Sequence, residues 1–138
     1  MNAVDTNVLI YSVDRNDPVK QIKAQQLLQQ FRVGVEPTFL LWQVLGETAQ
    51  QFRRWEDQRR LTHAEFVQHV RSFRYLFPLV LPTADVFDHA LDLSERYSLS
   101  HWDSMVLGAC QAVGVTSFYT EDMGAPRVID GIQLVNPF

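Results

Sequence analysis

In the stretch NAVDTNVLIYS, Asp5 directly follows the apolar pair Ala3 and Val4, at what reads as the end of a short buried strand. Asp122, with Glu121 before it, stands just past a second strand-like stretch, VTSFYT. In an open parallel sheet, residues just beyond the carboxyl ends of the strands share one edge, and ligands bind at that edge. Two helical acids can join this pair. Glu47 lies about a quarter-turn off the stripe formed by Leu41, Val44, Leu45, Thr48, Phe52 and Trp55, and Asp103, next to Trp102, has nearly the same relation to its own helix. Carboxylates brought together at such an edge repel, by up to about 4 kcal/mol per pair at 4 Å and an effective dielectric near 20. The cluster therefore calls for a cation.

The donors on offer are all oxygens. Cys110 is the only cysteine, and His63, His69, His89 and His101 are not at metal-ligand spacing, so Mg²⁺, with Mn²⁺ as the alternative, is favoured over zinc. Such an ion usually serves phosphate chemistry: it polarises a phosphodiester and generates hydroxide from bound water, with a second ion possible about 4 Å away. No residue suggests itself as a covalent nucleophile. Each acid also has an ordinary structural reading. Asp5 can cap the helix that begins near Asn7, and Ser100 with Asp103 spells a capping box. Glu47 can be a solvated helical residue, and Asp122 before Met123 and Gly124 can be a turn.

The elements that must position these acids follow from period and punctuation. NVLIYSV continues as helix, and Asp17 with Pro18 starts another, with Ala24, Leu27, Leu28 and Phe31 at helical spacing. Val33 to Val35 fit a second short strand closed by Pro37, and Thr38 is then available to cap the long amphipathic helix that carries Glu47. Thr62 and Glu65 form a capping box for the next helix, and FPLVL between Pro78 and Pro82 fits a third strand. Two more helices follow, the second with Trp102, Met105, Val106, Ala109, Cys110 and Val113 as its core stripe and Gly114 as its stop. Trp42 and Trp55 read either as part of a helical dimer surface or, more simply, as core. After VTSFYT, the turn at Asp130 and Gly131 leads into a last strand in IQLVNPF. Strands alternating with helices favour an α/β sandwich with a largely parallel sheet, in a single domain spanning residues 1–138.

Composition narrows the class. With 138 residues, 46% apolar and 20% charged, the chain can bury a full core without disulfides, and a lone cysteine fits the reducing cytoplasm. No apolar run reaches membrane-spanning length and no secretory leader is visible, so a cytoplasmic protein without membrane association is expected. A net charge of −4 argues mildly against a domain held on nucleic acid by bulk charge, but does not exclude a nuclease. FRRWEDQRR concentrates Arg53, Arg54, Arg59 and Arg60, either as a solvated face partly neutralised by Glu56 and Asp57 or as contacts to phosphate or to a protein partner.

VDTNVLIY, GETAQ, SHWDSM, YTEDMG and the terminal LVNPF, in that order along the whole chain, together resemble the PIN-domain nucleases, and among them the VapC-type toxins. The resemblance implies a three-layer α/β/α, Rossmann-like fold and a Mg²⁺-dependent endoribonuclease, often a homodimer, silenced by a cognate antitoxin. By position, the acids matching the family's motif are Asp5, Glu47, Asp103 and Asp122, expected to bind the ion and orient the attacking water on RNA. Asn7 and Thr120 match flanking polar positions that support the acids or touch phosphate, and Glu121 is a further candidate for that role. Of Glu121 and Asp122, only one can point inward, and the motif selects Asp122. Two rival functions stand beside this one. A haloacid-dehalogenase-type phosphatase also places an Asp after its first strand, but needs a second Asp where this chain has Asn7. A non-catalytic binding module on the same fold would act through its arginines or a protein partner.

Overall fold

The computed structural model describes residues 1–138 as six helices and six strands. The strands are β1 (Asn2–Val4), β2 (Thr38–Leu41), β3 (Leu79–Val80), β4 (Ser117–Tyr119), β5 (Arg127–Ile129) and β6 (Ile132–Val135). The helices are α1 (Thr6–Val13), α2 (Pro18–Val33), α3 (Trp42–Asp57), α4 (His63–Leu76), α5 (Asp85–Tyr97) and α6 (His101–Val113). They build one sheet in the order β3-β2-β1-β4-β6-β5, parallel except for the β5–β6 hairpin.

The chain steps from β1 to β2 to β3 in one direction, then returns to place β4 on the other side of β1. Crossovers between parallel strands are right-handed, so α1–α4, which serve the outward steps, cover one face of the sheet and α5–α6, which serve the return, cover the other. That gives the three layers. It also makes the β1/β4 boundary the point where the strand order reverses, the position at which open α/β sheets bind ligands. β1 is buried throughout, in register with Thr38 and Phe39 on one side and Ser117 to Tyr119 on the other.

Local chemistry explains most boundaries. Asp17 caps α2 through the Lys20 amide ahead of Pro18, and the Thr62–Glu65 capping box closes reciprocally at the start of α4. On α3, Val44, Thr48, Phe52 and Trp55 face the core, joined by Leu9, Leu40, Phe73, Leu107 and Phe118. Gly108 lets α6 approach α5 closely, because a Cβ there would stand 2.8 Å from the Val86 carbonyl. No helix is long and apolar enough to cross a membrane.

Four expectations are corrected. Val33–Val35 is no strand: α2 runs through Val33, Gly34 ends it, and Val35 is fully exposed with no strand to pair with. The strand starts after Pro37, whose carbonyl accepts from the Asn2 amide, so Thr38 lies inside β2 and Leu41 ends it instead of joining the stripe of α3, which has no side-chain cap. On α6, the buried residues are Ser104, Val106, Leu107, Gly108 and Cys110, so the core stripe is rotated toward α5, and Trp102 is 62% exposed. Trp42 is likewise 54% exposed, whereas Trp55 is buried.

Candidate active site

Asp5 sits where β1 turns into α1. Its amide still continues the sheet, donating to the Tyr119 carbonyl at 2.9 Å, while its Oδ1 caps α1 by accepting from the Thr6 amide at 2.7 Å. The capping role and the cleft position coexist, because the second oxygen is turned toward β4. There Oδ2 accepts from the Thr120 hydroxyl at 2.6 Å and from Asn7 Nδ2 at 3.4 Å. The same Asn7 amide reaches Thr120 Oγ1 at 3.3 Å and Asp122 Oδ2 at 3.2 Å, and the Asp122 amide donates to Thr120 Oγ1 at 3.0 Å. Asn7 and Thr120 thus tie the end of β1 to the end of β4 across the switch point.

The helical acids arrive from opposite layers. Glu47, in the second turn of α3, accepts from Gln43 Nε2 at 2.7 Å and from Thr6 Oγ1 at 3.1 Å. Asp103 lies in the first turn of α6. Ser100 caps that turn by accepting from the Asp103 amide at 3.2 Å, but the Asp103 carboxylate does not return the bond, so the capping box is only half closed. That carboxylate accepts no hydrogen bond and is free toward the cleft. Gln43 Nε2 also donates to the Trp102 carbonyl at 3.2 Å, bridging α3 to α6 above the sheet.

Asp5, Glu47, Asp103 and Asp122 line one cleft of about 410 Å³, with Thr6, Asn7, Gln43, Trp102 and Arg54 around them. The acids have no salt-bridge partner. Burial pushes the Asp5 carboxyl up to about 6, the donors Thr120 and Thr6 partly oppose this, and the negative charges of Asp122 and Glu47 add to the rise. Cys110, fully buried behind this site, has its thiol raised by burial and by the Asp5 charge, so it is a packing residue.

The donor set suits a hard divalent cation: every candidate ligand is an oxygen, and Asn7 Oδ1 is a further buried acceptor without a hydrogen-bond partner. No three of the acids are drawn together tightly enough to grip an ion as they stand. Like charges at this edge disfavour a closer approach of the carboxylates.

Glu121 and Asp122 diverge. Glu121 turns away from the cleft to an ion pair with Lys20 of α2 and a hydrogen bond from the Tyr11 hydroxyl, whereas Asp122 lines the cleft. The four arginines separate as well. Arg54 reaches the cleft rim, while Arg53 pairs with Glu56 at 2.6 Å, and Arg60 pairs with Asp14 at 3.0 Å with its guanidinium over the Trp55 ring. Arg59 follows α3 in a left-handed conformation, φ 58°, and makes no salt bridge. Sequence reasoning missed Thr6, Gln43, Tyr11 and Lys20. Gln43 carries a signal, four residues ahead of Glu47 on one helix. Lys20 carries none, being 101 residues from its partner.

The chain matches the PIN domain family over residues 3–130. It belongs to the PIN-domain family. Solved structures share the fold across most or all of the chain. A toxin–antitoxin complex from Klebsiella pneumoniae superposes with a TM-score of 0.69 at 18% identity, covering 100% of this chain and 98% of that one. A VapC toxin of Mycobacterium tuberculosis that cleaves the sarcin-ricin loop gives 0.68 at 19% identity, covering 90% and 92%. A VapBC complex of Rickettsia felis bound to a DNA fragment from its promoter gives 0.69 at 13% identity, covering 96% of each chain. No curated protein sequence matches the chain.

Proposed function

We propose that this PIN domain, spanning residues 1–138, is a metal-dependent endoribonuclease and the toxin of a toxin–antitoxin pair. The observation that carries the reading is the meeting of four acids, from two strand ends and two opposing helical layers, in one cleft that holds no paired cation. Asp5, Glu47, Asp103 and Asp122 would hold a divalent ion, Mg²⁺ or Mn²⁺. When bound, such an ion supplies Lewis acidity to the phosphodiester and lowers the pKa of water. Asn7 and Thr120 hold Asp5 and Asp122 against each other, and Thr6 with Gln43 holds Glu47, so the donors are oriented before substrate arrives. Arg54 at the rim is the cation placed to meet an RNA phosphate.

The toxin assignment is supported by relatives of the same fold that are solved as toxin–antitoxin complexes. A cognate antitoxin is then the protein partner, and the cytoplasm, where RNA is cut, the compartment. A homodimer is supported by an apolar face on which Trp42, Leu81, Phe87, Leu91 and Trp102 are each more than half exposed, along two hollows that share Phe87 and Met105. The deciding experiment is cleavage of total RNA by antitoxin-free protein with Mg²⁺, Mn²⁺ or EDTA, wild type against Asp5→Asn. Discrete fragments lost with EDTA and with the substitution are expected; fragments that survive both would sink the reading.

A further inference from the structure

The chain sets two acids side by side after β4, yet only one lines the cleft. We propose that Lys20 and Tyr11 are positioning residues for Asp122: by holding Glu121 on the far side of the strand end, they fix which carboxylate is presented to the ion. The inference rests on the metal-binding reading above.

Both oxygens of Glu121 are engaged. Oε1 accepts from the Tyr11 hydroxyl, Oε2 from Lys20 Nζ, and Lys20 Nζ also donates to Tyr11 Oη at 3.0 Å, closing a triangle. The lysine is held from its other sides too, with Nζ 4.3 Å from the centroid of the Tyr11 ring and 5.4 Å from that of Phe138. The Phe138 ring packs edge-on against Tyr11 at 4.9 Å. Tyr11 itself lines the acid cleft, so the clamp forms part of the cleft wall.

Asp122, by contrast, is exposed, and its carboxylate has one protein donor, Asn7 Nδ2. Beyond it Met123 and Gly124 both have positive φ, 55° and 71°, so the chain bends away at once. The direction of Asp122 is therefore set mainly by the backbone at 121–122, which two side chains anchor: Thr120, whose Oγ1 accepts from the Asp122 amide at 3.0 Å, and Glu121. Freed of Lys20, Glu121 becomes an unpaired carboxylate beside Asp122 and Asp5, adding negative charge at the cleft or swinging toward it. A half-exposed ion pair of this kind adds little to global stability, so its effect should appear in ion binding.

The test is Mn²⁺ binding by isothermal titration, with thermal unfolding of the metal-free protein measured in parallel, for wild type, Lys20→Ala, Lys20→Arg and the double variant Lys20→Ala/Glu121→Ala. Lys20→Ala is expected to weaken Mn²⁺ binding roughly 10- to 100-fold, the range seen when groups supporting metal ligands are removed. Lys20→Arg should keep most of the affinity, and the double variant should regain much of what Lys20→Ala loses, because the misdirected carboxylate is gone. Wild-type affinity in Lys20→Ala, or a loss that the double variant keeps in full, overturns the clamp alone. A wild type that takes up no Mn²⁺ overturns the metal reading and the clamp with it.

Discussion

Two regions of this molecule gather acidic side chains, and they treat the charge in opposite ways. Near the β5–β6 turn, Asp92 and Asp130 share Arg96, and Asp130 also accepts from Gln111; the arginine beside it holds the Asp130 carboxyl below its ordinary value. At the β1/β4 boundary, four acids meet with no cation paired to any of them, and the Asp5 carboxyl is pushed up instead. The first arrangement satisfies its charges within the chain and ties α5 to the hairpin. The second leaves a deficit that only something outside the chain can fill. A cluster whose charges are unmet is one the fold keeps at a cost, and the proposed function is the reading that gives that cost a purpose.

The largest expected contrast comes from making the same change in both regions. Asp5→Asn should lower RNA cleavage by at least about 100-fold, beyond the effect of removing a mere supporting group, while the chain stays folded. Asp130→Asn should leave cleavage at the wild-type level. Gel analysis of RNA digested by equal amounts of each variant checks both. Equal losses would mean that cleavage depends on the fold and not on the cleft.

Next in size is the dependence of stability on pH. Asp5 ionises near 3.8 when unfolded and near 6 when folded, so between these values the folded state holds the extra proton and stability falls as pH rises. Integrated over roughly two pH units, the loss by neutral pH is up to about 3 kcal/mol. Asp130 runs the other way: its folded value is depressed, so its contribution is present above its unfolded pKa and is lost as pH falls through the lower folded one. Urea unfolding of metal-free protein between pH 4 and 7 should show the Asp5 slope, and Asp5→Asn should flatten it. Millimolar Mg²⁺ should raise the melting temperature more at pH 7.5 than at pH 5, because it binds the ionised form. A Mg²⁺ response that is the same at both pH values would place the ion elsewhere.

Arg54→Ala is expected to come third. A rim arginine meeting one phosphate should weaken RNA binding across sequences alike and lower the slope of log affinity against log salt by about 1. Arg60→Ala, whose guanidinium is already committed to Asp14 and Trp55, should leave the slope unchanged, although it removes the same charge. Filter binding at several salt concentrations, in EDTA to prevent cleavage, separates the two.

The two regions also differ in how far they could be read from the sequence. Caps and turns are local codes, and Asp17–Pro18, Thr62 with Glu65 and Asp130–Gly131 each form where their residue types direct. Even so, the strand ahead of the Asp130–Gly131 turn, Arg127–Ile129, went unseen, because Pro126 and a length of three residues hide its alternation. The false strand at Val33–Val35 has the mirror cause. β-branched residues matched the propensity, but a strand also needs a neighbour, and β1 pairs with Thr38 and Phe39 instead. In the cleft, strand ends and helix rims pointed to the candidate acids, but the choice of Asp122 over Glu121 came from the family's motif, because alternation alone leaves it open. What supports them did not show: Lys20 meets Glu121 only through the tertiary fold, and Trp102 looked like core until the approach of α5 at Gly108 rotated the buried face of α6.

The smallest effect expected is the stability change in Asp130→Asn, and its smallness tests the comparison most finely. Asp130 occupies a left-handed position, φ 47°, followed by Gly131 at 83°, as a tight hairpin turn requires. Asparagine adopts that conformation as readily as aspartate, so the substitution keeps the turn and removes only the charge that faces Arg96. Arg96 retains Asp92 on its own helix, four residues back, as an alternative partner. The melting temperature should therefore fall by no more than roughly 3 °C, and the fall should shrink further in high salt, which screens exposed pairs. Asp5→Asn should show much less salt sensitivity, because Asp5 is only 9% exposed and the largest part of its cost is burial, which salt does not reach, with the charges of Asp122 and Glu47 adding less. If differential scanning in low and high salt moved both variants alike, the contrast between a charge satisfied within the fold and a charge left for a ligand would fail.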